Sequence, residues 1–313
     1  MIKYLRHGSL RLLPVLLLLL LLAAGCAKEK APPELAGAEA AYEEDALPSG
    51  EAGRFSDGLC RVTFLDVGQG HATLFRTEEA AVLIDGGGRD TSSFVVSWLQ
   101  EQGVSRLDLM IATHGDADHI SGLIGVMNQF KVEEVWAFAT SEETSTVRSF
   151  FRTAERFGIP VAYPSPGEER EAGGMRFKLL APFGPDELVE NNNSLVVKMS
   201  YGETSVIITG DAQTEEEQRM LSEGMDVSAQ VLLAGHHGSS NSSSEAFLQA
   251  VQPEYTVISC GRDNLFEHPH QVTLRRLRAV RSDIYRTDLQ GTVECTLDGE
   301  NITWNVEAWE KHH

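Results

Sequence analysis

Residues 107–112 form an apolar run that stops at Thr113-His114-Gly115-Asp116-Ala117-Asp118-His119, so four candidate metal ligands fall within six residues at the end of a buried strand. Two imidazoles and two carboxylates at this density cannot all turn inward unless something offsets their desolvation, and a divalent cation does so. A chain of this kind must fold so that a strand end becomes the rim of a polar pocket. Read alone, the loop is also compatible with a polar connection in which Asp116 caps the next helix and the histidines face water. Later strand ends bear on the choice. Residues 207–211 run Ile-Ile-Thr-Gly-Asp and end on Asp211, and residues 231–239 run Val-Leu-Leu-Ala-Gly-His-His-Gly-Ser and carry His236 and His237. Three strand ends bearing ligand side chains favour one shared metal site over three unrelated caps.

The pattern around these ends predicts strands at residues 61–66, 72–75 and 81–85, joined by Gly68-Gln69-Gly70 and a polar turn near 77–79. Helical and strand patterns then alternate: helix 91–101, strand 107–113, helix from about 120, strand 132–138, helix 143–157. A second set follows, with strands at 175–180, 194–201, 204–209, 229–234 and 255–259, and helices at 215–222, 244–251 and 273–281. Short strands continue to about residue 304. Two similar halves, each with strands first and helices after, predict an α/β fold in which two sheets pack face to face with helices outside, a four-layer αββα sandwich.

The ends of the chain carry other information. Lys3, Arg6 and Arg11 precede the apolar run 12–22, which leads into Ala23-Ala24-Gly25-Cys26. Residues 1–26 read as a bacterial lipoprotein signal, with Cys26 lipidated and becoming the mature N-terminus. Residues 27–54 are rich in Ala, Glu, Pro and Gly and hold too little apolar surface to offset ordering entropy, so they read as a disordered acidic tether. Residues 55–313 form the folded domain. The expected location is the outer side of a membrane, held by lipid. Besides Cys26 there are Cys60, Cys260 and Cys295, none at a C-x-x-C spacing, so sulfur is not an expected ligand and at most one internal disulfide can form. The formal net charge of −20 excludes a protein that coats nucleic acid through a broad positive field. One basic stretch stands out, Arg275-Arg276-Leu277-Arg278 with Arg281 and Arg286 beyond it. It suits either a phosphate backbone or the solvated face of a helix.

Taken together, Phe64-Leu65-Asp66-Val67-Gly68-Gln69-Gly70, Leu83-Ile84-Asp85-Gly86-Gly87, His114 to His119, Asn191-Asn192-Asn193-Ser194-Leu195-Val196, Thr209-Gly210-Asp211, Gly235-His236-His237-Gly238-Ser239 and His268-Pro269-His270 resemble, in order, the signatures of the metallo-β-lactamase superfamily. The resemblance is closest to the hydrolase domain of the ComEC/Rec2 competence proteins. It implies Asp118, His119 and His236 as ligands of one metal, Asp211 between two metals, and His114 and Asp116 on the second. The chain departs from the pattern at three places. Asp116 stands where histidine is more usual, Asn193 or Ser194 where a further histidine is expected, and His71 where the competence proteins carry aspartate. His71 reads as a tolerated turn substitution. Oxygen in place of nitrogen hardens the site, so the expected cofactor is one or two divalent ions, Zn²⁺ or Mn²⁺, with Mg²⁺ as a further candidate.

The chemistry expected of such ions is activation of a bound water as hydroxide nucleophile and stabilisation of the oxyanion it forms. Asp211 would orient that hydroxide, and Asp116 or Asp118 would help manage its proton. His268 and His270 are candidates to contact a phosphoryl oxygen or protonate the leaving group, and Asn191, Asn193, Ser194 and His237 are candidates to bind substrate. The resulting expectation is a membrane-anchored, outward-facing phosphodiesterase or nuclease acting on DNA. Two alternatives stand beside it. One is hydrolysis of a small ester, lactone or amide on the same fold; the other is a non-catalytic component that presents DNA to the channel of an uptake system.

Overall fold

The computed structural model describes residues 58–140, 144–184 and 189–312. The signal expected over residues 1–26, including Cys26, and the tether at 27–54 lie outside the described residues. In the first half the elements are β1 (Cys60–Phe64), β2 (Thr73–Arg76), β3 (Ala81–Ile84), α1 (Ser92–Glu101), β4 (Arg106–Leu107), β5 (Leu109–Ile111), α2 (Ala117–Met127), β6 (Lys131–Val132), β7 (Val135–Trp136), α3 (Ser145–Arg156) and β8 (Val161–Ala162). The second half holds β9 (Glu169–Ala172), β10 (Met175–Ala181), β11 (Val196–Tyr201), β12 (Thr204–Ile208), α4 (Thr214–Ser222), β13 (Val231–Leu233), α5 (Glu245–Val251), β14 (Tyr255–Ile258), α6 (Gln271–Ala279), β15 (Asp283–Arg286), α7 (Thr287–Gln290), β16 (Val293–Leu297) and β17 (Ile302–Trp304).

An eight-stranded sheet has the order β17-β16-β1-β2-β3-β5-β7-β8, and a seven-stranded sheet the order β15-β14-β13-β12-β11-β10-β9. In each, an antiparallel meander turns parallel: β3, β5, β7 and β8 run together in the first sheet, and β12 to β15 in the second. Among the parallel strands, β3, β5, β7 and β13 are unbroken apolar runs of the sequence, as strands buried on both faces must be. Their side chains still alternate between two cores. Val82 and Ile84 point between the sheets to meet Val197, Met199, Val206 and Ile208, while Ala81 and Leu83 point outward to Val95 and Leu99 of α1 and Ile120 and Leu123 of α2. On the far side, Ile207 and Leu232 pack under Met220, Phe247, Leu248, Leu274 and Leu277 of α4, α5 and α6.

The result is the expected αββα sandwich. Between its sheets Phe75 and Phe177 meet edge to face at 5.4 Å, and each such buried ring contributes about 1.5–3 kcal/mol. Several details differ from the sequence reading. Helix α2 starts at Ala117 rather than near residue 120, so Asp118 and His119 belong to its first turn. β8 and β9 were not expected, because β8 is only two residues long and β9 is largely exposed and charged. Cys60, Cys260 and Cys295 are free and buried, although Cys60 and Cys295 lie on the paired strands β1 and β16. Among the described residues no helix is long and apolar enough to cross a membrane.

Candidate metal centre

Polar side chains gather where the parallel strands of both sheets end. The loops after β3, β5, β12 and β13 bring Asp85, His114 to His119, Asp211 and His236-His237 to one edge, the place where open α/β sheets bind ligands. Helix α2 is held there by backbone contact. The Gly86 amide donates to the His119 carbonyl at 2.7 Å and the Gly122 amide to the Gly87 carbonyl at 3.0 Å. The approach leaves no room for a side chain, since a Cβ on Gly122 would lie 1.7 Å from the Gly86 oxygen.

At the bottom of the site Asp85, fully buried with φ of 56°, receives four hydrogen bonds. Its Oδ1 accepts the Thr113 amide at 2.9 Å. Its Oδ2 accepts Thr113 Oγ1 at 2.7 Å, His119 Nδ1 at 2.7 Å and His71 Nδ1 at 3.0 Å. Burial pushes the Asp85 carboxyl up, but His119 and then His71 outweigh it and hold the group far below the usual carboxylate range.

This network determines which ring nitrogens carry hydrogen. An ionised Asp85 makes His119 Nδ1 a donor, which leaves a lone pair on its Nε2. His237 Nδ1 donates to the Ser259 carbonyl at 3.0 Å, so its Nε2 carries a lone pair as well. His114 follows the same logic. Thr113 Oγ1 gives its hydrogen to Asp85 and accepts from His114 Nδ1 at 3.0 Å, which frees His114 Nε2. The three lone pairs face the same space. His119 Nε2 and His237 Nε2 stand 3.3 Å apart, with Asp211 Oδ1 3.3 Å from the first and Asp118 Oδ2 and Asp211 Oδ2 each 3.5 Å from the second. His114 Nε2 lies 3.7 Å from Asp211 Oδ2 and 3.6 Å from Asp116 Oδ2, and both His114 Nε2 and Asp211 Oδ1 are buried without a hydrogen-bond partner.

Opposed lone pairs beside two or three carboxylates repel one another until protons or a cation enter. Without a cation, His119 takes up a proton far more readily than usual; burial opposes this, and Asp211 and Asp85 overcome it. His237 is shifted upward in the same manner, against burial, by Asp211 and Asp118. Asp118 is lowered to about 2, burial being outweighed by His237 and His119. The donor set of nitrogen and carboxylate oxygen fits a divalent ion, and two of its groupings, His114-His119-Asp211 and Asp118-His119-His237, place ligand atoms within 4.8 Å of one another.

The structure brings together most of the residues expected from sequence and redistributes their parts. His237, expected to bind substrate, is the imidazole that meets Asp118 and His119. His236, expected in that position, instead lies 3.5 Å from Asp211 and accepts a 3.4 Å contact from the Asn191 amide. Both histidines hold left-handed backbone, φ of 50° and 55°, a conformation that costs non-glycine residues energy and concentrates at functional sites. Asn193 is buried with its amide on Glu190, and the buried Ser194 Oγ accepts the Asp211 amide at 3.1 Å, so both brace the loop. Asp116 is exposed at the rim.

His71, read as a turn substitution, is buried and spans Asp85 and Thr73 Oγ1, the latter at 2.7 Å. Its only signal in the sequence was its departure from aspartate. His268 reaches the site, its ring centre 5.7 Å from His236 and 6.2 Å from His237. Burial, then His237 and His236, lower its pKa to about 4. His270 lies behind it, with Nδ1 accepting the Ser240 amide at 2.9 Å. Three of the five arginines in the basic stretch are committed to the protein itself, while Arg275 and Arg281 are exposed. Arg276 donates to the carbonyls of Ser240 and Ser242, Arg278 forms a fork with Glu310, and Arg286 does so with Asp288.

Residues 65–262 match the sequence model of the metallo-beta-lactamase superfamily. ComE operon protein 3 of Bacillus subtilis is 31% identical over 266 residues, covering 78% of this chain and 34% of that protein. Competence protein ComA of Neisseria gonorrhoeae is 32% identical over 283 residues, covering 90% of this chain and 37% of its own length. The chain thus spans about a third of the length of these relatives. Among solved structures, the metallo-beta-lactamase fold protein YhfI from Bacillus subtilis superposes with a TM-score of 0.50 at 14% identity, covering 72% of this chain and 96% of that one.

Proposed function

The chain belongs to the metallo-beta-lactamase superfamily, and from that premise we propose that it is a metal-dependent phosphodiesterase that cleaves DNA. The observation that carries the reading is the set of three imidazole lone pairs, on His114, His119 and His237, turned toward Asp118 and Asp211 in one buried cluster. Asp118, His119 and His237 would hold one cation, and His114 and Asp116 a second, with Asp211 facing both. Bound there, a divalent cation neutralises phosphoryl charge and brings the pKa of a water near neutrality. The chain's own groups supply the rest. Asp85 fixes the His119 tautomer, Ser194 holds the Asp211 backbone, and Asp116 at the exposed rim can accept a proton from an attacking water. The Asn191 amide, in contact with His236, is a neutral donor suited to a phosphate oxygen.

In the same reading Cys26 bears a lipid, residues 27–54 tether the domain on the outer side of the membrane, and the domain serves DNA uptake together with a channel supplied by a partner. The similarity to competence protein ComA supports the role in DNA uptake. The test is to offer single-stranded DNA, duplex DNA, bis-p-nitrophenyl phosphate and a cephalosporin to the purified full chain with Mn²⁺, Mg²⁺ or Zn²⁺. Phosphodiester turnover that disappears in Asp118→Ala supports the proposal. Turnover of the cephalosporin alone contradicts it, as does DNA binding without cleavage that survives both Asp118→Ala and His119→Ala.

A further inference from the structure

The loop between β14 and α6 passes over the cluster and carries an apolar pair out into water, with Leu265 97% and Phe266 62% exposed. The loop is braced from within. The Asn264 amide donates to the carbonyls of Gly261 at 2.9 Å and His268 at 2.7 Å, and its Oδ1 accepts the amides of Phe266 at 3.1 Å and His268 at 3.0 Å. Arg262 ties the near side to the Asp288 carbonyl at 3.1 Å. A loop fixed at this many points holds its exposed side chains in place, and packing gives no reason for them to be apolar.

The direction in which Phe266 leads is informative. Its ring stacks on His268, with centres 5.6 Å apart and planes 23° apart. His268 in turn stacks on His237 at 6.2 Å and 29°, and His237 Nε2 lies 3.5 Å from Asp118 and Asp211. Three rings, each stacked on the next, therefore step from solvent to the carboxylates. On the loop itself the exposed acids Asp263 and Glu267 outnumber the exposed Arg262, and of the basic stretch Arg276, Arg278 and Arg286 are committed to acceptors within the protein, leaving Arg275 and Arg281 exposed.

We propose that Phe266, flanked by Leu265, is a stacking shelf for a nucleobase of a single-stranded substrate, with the adjoining phosphodiester reaching the carboxylate-imidazole cluster. The inference rests on the phosphodiesterase reading and gives it a substrate class. A nucleobase is planar and uncharged, so the acidic loop does not repel it, and every base offers a π face, so the shelf tolerates sequence. A base within a duplex is already stacked and paired, which leaves the unpaired strand as the partner for a fixed aromatic ring. An acidic protein can in this way hold nucleic acid by its bases where its charge does not attract the backbone.

The test compares a thymidine oligonucleotide with an abasic strand of equal length, using the full chain. Binding is read by fluorescence anisotropy in EDTA, and cleavage with Mn²⁺. For the wild type, the base-bearing strand binds more tightly and shows a lower KM. In Phe266→Ala the ratio between the two strands falls by roughly 5- to 150-fold, the loss that follows removal of one stacking partner, and Phe266→Trp restores it. If Phe266→Ala weakens both strands alike, or changes neither, the shelf is wrong even though DNA is cleaved. If the wild type neither binds nor cleaves either strand with Mn²⁺, Mg²⁺ or Zn²⁺, the phosphodiesterase reading itself fails and the shelf falls with it.

Discussion

Replacing Asp85 with asparagine tests how the site controls its imidazoles. Asp85 touches no substrate and lies beneath the proposed ligands, where Oδ2 accepts hydrogen bonds from Thr113, His119 and His71. In Asp85→Asn the Oδ1 position still accepts the Thr113 amide, but an NH₂ group faces three donors. The least costly rearrangement moves the hydrogens of His119 and His71 to their Nε2 atoms, so that both Nδ1 atoms accept from the new amide. Thr113 Oγ1 loses its charged acceptor, and the expected destabilisation is about 2–3 kcal/mol. The functional effect is larger, because His119 then turns an N–H toward Asp211 and His237 and can no longer donate a lone pair. Metal affinity is expected to fall on the order of 10- to 100-fold, the range for loss of a group that orients a ligand. Titration calorimetry of Mn²⁺ or Zn²⁺ into stripped protein measures the affinity, and urea unfolding in EDTA measures the stability. A carboxyl with a folded pKa below its unfolded value stabilises fully above roughly pH 4, and the contribution drains away as the pH falls further. The stability gap between wild type and variant should accordingly close on acidification below about pH 4. A folded Asp85→Asn protein that binds metal as tightly as wild type would refute the tautomer argument.

Three further substitutions probe the assembly of the site. His237→Ala is expected to weaken metal binding more than His236→Ala, by at least tenfold in calorimetric Kd, because only His237 meets both Asp118 and His119; the reverse order would restore the assignment read from sequence. Gly122→Ala places a methyl 1.7 Å from the Gly86 carbonyl, and the forced shift of α2 should cost about 3 kcal/mol in urea unfolding and weaken metal binding together with it. Wild-type stability in that variant would show that the helix seat is not tight.

The parts of this architecture that could be read in the sequence were those written as apolar runs with a polar end. Ile207 to Asp211 and Val231 to His237 announce both a buried strand and the edge it reaches, so the sandwich and the convergence of Asp118, His119 and Asp211 followed from pattern and resemblance. What could not be read depended on backbone turns and on third-layer contacts. Which of the adjacent His236 and His237 faces inward is decided by left-handed φ at both residues, a feature that composition does not encode. The burial of His71 follows from the seat of α2 on the first turn, far along the chain. The basic stretch suited either a phosphate backbone or a solvated helix face, and the sequence alone did not reveal that Arg278 of α6 pairs with the distant Glu310 or that Arg286 of β15 pairs with Asp288. Leu265 and Phe266 carry no periodicity, and only the stacking of Phe266 on His268 gives the pair meaning.

His119 and His237 would present Nε2 lone pairs, with Asp118 and Asp211, to a single cation. Anomalous diffraction from crystals of the protein loaded with Mn²⁺ or Zn²⁺ locates that cation. The expected result is a peak at coordination distance from both Nε2 atoms and from the two carboxylates, abolished in His237→Ala. A metal-loaded crystal with no peak there, or with those rings turned to offer Nδ1, would contradict it.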